Sequence, residues 1–168
     1  FAGLALYSAA LEPGAREVRE RRKRYWLPYH RCLHEELERI RQAHGHAVLL
    51  DAHSIRSTQP LLFDGVLPDL NLGSHGGKSA AGSLIGVALK ALRSSPYSLV
   101  LDGRFKGGYI TRHYGKPGFG CHALQLEMAQ SIYMQEDPPV WHEERASALK
   151  AVLQNLVEAL LHWTPADD

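Results

Sequence analysis

The sequence predicts one α/β domain in which helices alternate with the strands of a largely parallel sheet. Three observations lead to it. Short continuous apolar runs, HAVLLD at 46–51 and SLVL at 98–101, have the composition of strands buried on both faces. Longer stretches with apolar residues at helical spacing separate them. The 168 residues, 45% hydrophobic and 22% charged, suffice for one real core. Strands alternating with helices need crossover connections, which set neighbouring strands parallel.

The opening fourteen residues hold a short first element that runs into a loop at Pro13 and Gly14. From about 15 to 43, Val18, Tyr25, Leu33, Leu37 and Ile40 recur near multiples of 3.6 among Arg, Glu and Lys, which predicts a long amphipathic helix. Pro28 should break or kink it near Leu27, and Gly45 should end it. The run at 46–51 predicts a strand central in the sheet. Residues 52–78 carry two prolines, four glycines and many small polar residues, the punctuation of a long site-building loop. Ser79 to Leu92 predicts a second helix stopped by Ser94, Ser95 and Pro96, and Ser98 to Leu101 a second buried strand. A glycine-rich basic loop follows, then a third strand over Cys121 to Met128. The chain closes with a helix from Glu143 to Trp163 that sets Leu149, Val152, Leu153, Leu156, Leu160 and Trp163 on one face.

Charge and cysteine content narrow the function. Nineteen Lys plus Arg against eighteen Asp plus Glu leave +1, too little for the whole chain to attract nucleic acid or an anionic membrane. The basic run REVRERRKRYW carries Glu17 and Glu20 at helical spacing and reads as a solvated face. No apolar run approaches the roughly 20 residues of a membrane-spanning helix. With two cysteines, Cys32 and Cys121, and no signal-like start, the expectation is free thiols in a reducing cytoplasm.

Three sets of residues have the chemistry of a site. Asp51, His53 and Ser54 fall just past the end of the first strand, where open α/β sheets place ligand crevices. His53 there is a candidate zinc ligand, with Asp51 able to orient an imidazole or a bound water; a loop histidine bonded to backbone would have the same local sequence. Arg56, Arg104, Lys106 and Arg112 lie in loops interleaved with Gly103, Gly107 and Gly108. Guanidinium forks bind carboxylates in pairs and glycine lets backbone approach a ligand, which suits a small dianion; arginines paired with surface acids are the alternative. Glu127 stands in the apolar strand ALQLEMA, where a carboxylate is costly unless it is paired or used, and such a group has the basicity to deprotonate water; strict alternation also allows it to face outward. The histidines complete no spacing motif: His34 and Glu35 begin HExxH, but Glu38 stands where the second histidine belongs. His30 and His34 share a helix face without a third ligand in the sequence nearby.

Several long strings, LLDAHSIRS, LFDGVLPDLNLG, GRFKGGYITRHYGKP and HALQLEMAQSIYM, together with LEPG…YWLPYH, resemble the N-formylglutamate deformylase (N-formylglutamate amidohydrolase) family of histidine catabolism. That family is itself similar to the zinc carboxypeptidases. The resemblance implies a three-layer α/β/α, phosphorylase/hydrolase-like fold with one zinc ion, and residues 1–168 as the C-terminal part of a single domain. It implies His53 as the late zinc ligand and Glu127 as the carboxylate that activates water. It makes Arg56, Arg104, Arg112 and Asn71 candidates for holding the carboxylates of a small dicarboxylate substrate. Family members carry roughly a hundred further residues at the N-terminal side, expected to hold the earlier metal ligands. Without them the sheet is expected to show an exposed edge and the chain alone to bind zinc poorly. The expected reaction is hydrolysis of N-formyl-L-glutamate to formate and L-glutamate. The alternatives are a related zinc amidohydrolase or carboxypeptidase with another acyl-amino acid, and a non-catalytic module that binds acidic metabolites.

Overall fold

The apolar runs form strands and the periodic stretches form helices in a computed structural model that describes residues 5–8 and 11–165. Residues 1–4 and 9–10 of the expected first element lie outside these residues. The long N-terminal helix is continuous rather than broken: α1 (Ala15–Arg21) passes through a π-helical turn (Arg22–Trp26) into α2 (Leu27–His44). Proline lacks an N–H and crowds the carbonyl one turn back, and the widened turn just before Pro28, where the Leu27 N–H bonds the Arg22 carbonyl, absorbs that conflict. Gly45 ends α2 in the left-handed conformation, as its sequence position predicts. Only the C-terminal half of the helix packs. Leu37 is buried, whereas Val18 and Tyr25, expected on the apolar face, are exposed.

Four strands make the main sheet in the order β1 (Ala47–Ile55), β4 (Cys121–Ala129), β2 (Leu70–Gly73), β3 (Leu99–Leu101). The β1–β4 and β2–β3 pairs are parallel and β2–β4 is antiparallel, so the sheet is mixed and largely parallel. Two expectations about position change. β1 is longer than 46–51, and among the described residues it is an edge strand, half-buried along its middle and exposed from Ala52 to Ser54. β3 is half-buried at the opposite edge, while the center belongs to β4, buried over eight of its nine residues. A continuous apolar run signals burial without saying which strand takes the middle.

Shorter elements escaped the sequence. β2 lies inside the expected loop, because four residues between Pro68 and Gly73 are too few to show a period. The glycine-rich stretch after β3 holds the helix α4 (Tyr109–Tyr114) and a 3-10 turn (Pro117–Phe119), and after β4 the hairpin β5 (Met134–Glu136) and β6 (Pro139–Trp141) was also unforeseen. The helices α3 (Gly82–Arg93) and α5 (Glu143–Leu161) match expectation, α3 starting three residues late.

Helices cover both faces. Leu70 and Leu72 of β2 and Leu124, Leu126 and Met128 of β4 pack with Leu84, Ala88 and Leu92 of α3 and Leu149, Leu156 and Leu160 of α5. Each fully buried leucine there contributes roughly 2 kcal/mol. Trp163 completes this core and its indole N–H donates to Ser83 Oγ at 3.2 Å, fastening the end of α5 to α3. Because side chains alternate along a strand, the odd-numbered residues from 47 to 53 and from 121 to 127 face the other way. There Ala47 and Leu49 pack with Leu37 of α2 and Tyr114 of α4. Farther along the strands that second face turns polar.

Candidate active site

The register of the sheet sets three functional side chains in one row. His53 on β1 is paired with Glu127 on β4, and Glu127 with Asn71 on β2. Residues directly opposite on paired strands point to the same face, so an imidazole, a carboxylate and an amide share it. Asp51 and Gln125 form the next row, two residues back on the same face. Asp51 and His53 lie within β1 rather than past its end, a correction that makes them part of a rigid element. The row sits in the C-terminal halves of the parallel pair β1 and β4, where such sheets bind ligands.

Each member of the row has a distinct environment. His53 Nε2 lies 2.9 Å from Asp51 Oδ1, with the histidine side chain 49% exposed and the aspartate 15%. Asp51 is thus within hydrogen-bond reach of the ring. Glu127 is buried, 7% exposed. Burial pushes its carboxyl above the usual range; His53 opposes that shift and Asp51 adds to it. Its protein donor is Gln125, whose Nε2 lies at 3.5 Å. Asn71 donates from Nδ2 to the Pro68 carbonyl at 2.8 Å, which fixes the amide, and its buried Oδ1 has no partner. Thr111 Oγ1 on α4 is likewise buried and unpaired. An acceptor left so costs about 1–3 kcal/mol.

The loop before α4 is tied to the row. Gln125 Oε1 accepts the Gly108 N–H at 2.7 Å, and Arg112 donates to the Gly107 carbonyl at 2.7 Å. Gly107 has φ +109, and a Cβ there would stand 2.7 Å from Thr111 Cγ2. A Cβ on Gly73 would meet the Gly107 nitrogen at 2.7 Å. These two glycines let the loop close onto the end of β2. Arg112 is thus joined to the row through one loop. Arg104 donates to the Leu62 carbonyl at 2.6 Å with its guanidinium over Phe105, and Arg56 donates to the Glu136 carbonyl of the β5–β6 hairpin at 2.9 Å. Neither bonds the row. All three arginines are exposed, and among the described residues none forms an ion pair, so their charges stay available to an anion.

Gln125 was missed in the sequence. Its signal was present: two polar residues at i and i+2, Gln125 and Glu127, in an apolar strand put both on one face. As a metal centre the row is partial. His53 is a suitable donor, but among the described residues no three His, Cys, Asp or Glu side chains form a group that could hold a metal ion.

A polar row at the C-terminal ends of parallel strands, with a buried carboxylate and Arg112 joined to it through one loop, is the kind of site that α/β hydrolytic enzymes build. Comparison with known proteins gives the family. The model of the N-formylglutamate amidohydrolase family matches residues 1–134, and the chain belongs to that family. It is 48% identical over 168 residues to an N-formylglutamate deformylase of Pseudomonas putida and 48% identical over 166 residues to one of Pseudomonas aeruginosa, each match covering 97% of this chain. The chain spans 62% of the length of these relatives. The crystal structure of an N-formylglutamate amidohydrolase from Ralstonia eutropha JMP134 superposes with a TM-score of 0.74 at 28% identity, over 86% of this chain and 55% of that one.

Proposed function

We propose that this chain carries the water-activating face of an enzyme that hydrolyses N-formyl-L-glutamate to formate and L-glutamate in histidine breakdown. The names of the relatives support the substrate. The observation that carries the chemistry is Glu127, a carboxylate buried in register with His53 and pushed toward higher pKa by that burial. The likeness of the family to zinc carboxypeptidases supplies the reaction type. A zinc ion bound at His53 would polarise the formyl carbonyl and lower the pKa of water. The described residues do not complete its ligand set, so in this proposal the remaining ligands come from a region on the N-terminal side, and the steps below involve only the side chains present.

Glu127 takes the proton of the attacking water and returns it to the leaving amine nitrogen of glutamate, a two-step use that needs a base poised above the ordinary carboxylate range. Gln125 holds the carboxylate from one side. Asn71 is a candidate for contact with substrate, its free Oδ1 offering an acceptor. Arg112, with Arg104 and Arg56 as further candidates, would bind the two substrate carboxylates, whose bidentate recognition rejects amides that lack the distal acid. Two unpaired cysteines, Cys32 and Cys121, fit a reducing cytoplasm as the compartment.

The test is formate release, with zinc content measured alongside, by the 168-residue chain and by the same chain extended at its N terminus to the length of the Pseudomonas relatives. Activity with about one zinc per chain is expected only in the extended form. An ordinary enzyme rate from the short chain would show that its own residues complete the site. N-acetylglutamate and N-formylaspartate, assayed in parallel, identify the acyl group and the chain length accepted.

A further inference from the structure

Well away from the catalytic row, where β4 begins, a cleft of about 600 Å³ opens between α2, the end of α4 and the 3-10 turn. Cys121 lies in its wall, and six residues of strand, about 20 Å at the usual rise, separate it from Glu127. The cleft is lined by four basic side chains, His34, Arg41, His113 and Lys116, against the single carboxylate of Glu38. That carboxylate is already committed. It accepts from Arg41 at 2.9 and 2.6 Å and from Gln42 at 2.7 Å, so its charge and that of Arg41 cancel. Lys116 has no ion-pair partner among the described residues, although its backbone is pinned by bonds to Cys121 at 2.7 and 3.3 Å.

We propose that this cleft is a binding site for a small organic or inorganic oxyanion, held by Lys116 with His113 and His34, and separate from the site of hydrolysis. Its volume falls in the range of pockets for small metabolites. The local field points the same way. His113, stacked on Tyr109 with ring centroids 4.9 Å apart, is held toward its neutral form by burial and then by Lys116, His30 and His34, basic side chains gathered on one side of the cleft. Tyr114, whose hydroxyl meets His30 Nδ1 at 2.7 Å, brings no negative charge to offset them. An anion would supply it, and would favour the protonated imidazole.

The experiment follows histidine ring signals by NMR in the intact chain, assigned with His34→Gln and His113→Gln, as inorganic phosphate and, separately, succinate are added to about 10 mM, a range that captures millimolar affinity. Saturable shifts of His34 and His113 are expected, with an upward move in the His113 titration midpoint. Saturation by phosphate alone or succinate alone supports the site and identifies its preferred group. Lys116→Gln should weaken binding about tenfold and Glu38→Gln should tighten it severalfold, while Lys150→Gln, exposed on α5 across the sheet from the cleft, leaves it unchanged. Shifts that never saturate, that reach His142 and His162 equally, or that persist undiminished in Lys116→Gln would overturn the proposal.

Discussion

In the role proposed for it, Glu127 sets function against stability. Its carboxyl is raised by burial, so the folded state holds this proton to higher pH than the unfolded chain does. The contribution to stability is therefore favourable at pH below the ordinary glutamate range and is lost as pH rises through the elevated folded value. Glu127→Gln, which keeps the shape without the charge, should raise stability at pH 7 by on the order of 1 kcal/mol and leave it nearly unchanged near pH 4. Denaturant melts at the two pH values check the sign; a variant less stable at pH 7 would mean that the charge is held by partners stronger than Gln125. The arginines are in the opposite condition, exposed charge resting on carbonyl oxygens. In an enzyme of full length, Arg104→Ala and Arg112→Ala should raise KM for N-formylglutamate about tenfold more than for N-formylglutamine, because the lost contact is specific to a charged group. Equal losses on the two substrates would assign these arginines to holding their loops.

At the scale of elements, what was legible depended on length and period. The long helices α2, α3 and α5 and the strand β4 could be read because a repeated apolar spacing or a continuous apolar run spans many residues, and β4 also showed Glu127. β2 could not be read, since LNLG is four residues set between prolines and glycines, yet it supplies Asn71 to the row. The polar face was legible only in part for the same reason: His53 and Glu127 stood out by type, while their alignment depends on a register that single strands do not encode. The start of α3 shows how pairing across elements adds a dependence on pH. The N–H of Ala81, its N-cap residue, donates to Nδ1 of His122 on β4 at 3.2 Å, and the His122 ring stands edge-on to Trp163 at 4.9 Å. Burial, with His46 adding, lowers the pKa of His122 below the usual histidine value. The folded state then binds fewer protons than the unfolded chain in the window just below that value. Stability from this contact is complete above about pH 6.5 and declines as pH falls toward the lowered folded pKa. Melts between pH 7.5 and 5 should show the decline in the wild type and a flatter profile in His122→Gln; identical slopes would place the pH dependence elsewhere.

For the whole molecule, the sheet divides the labour of its two faces. One is closed by α3 and α5 over the main core. The other is packed near the start of β1 and β4 and opens into the polar row of His53, Glu127 and Asn71 farther along. Among the described residues the outer flank of β1 carries no strand, and beside it His53 is half exposed. Tyr25, Trp26, Leu27 and Tyr29 likewise stand exposed on the N-terminal helix. An open edge and an aromatic ridge suit a chain that spans 62% of its relatives and, in the proposal made above, shares its site with a further region. The central claim is that Glu127 moves the proton and His53 holds the metal. It is tested most directly by formate release from N-formylglutamate at saturating substrate in the N-terminally extended enzyme, comparing wild type with Glu127→Gln and His53→Ala and measuring bound zinc in each. The account predicts a fall in kcat of about a thousandfold or more in Glu127→Gln with zinc retained, and loss of zinc and activity together in His53→Ala. Near-normal turnover by Glu127→Gln, or stoichiometric zinc in His53→Ala, would contradict it.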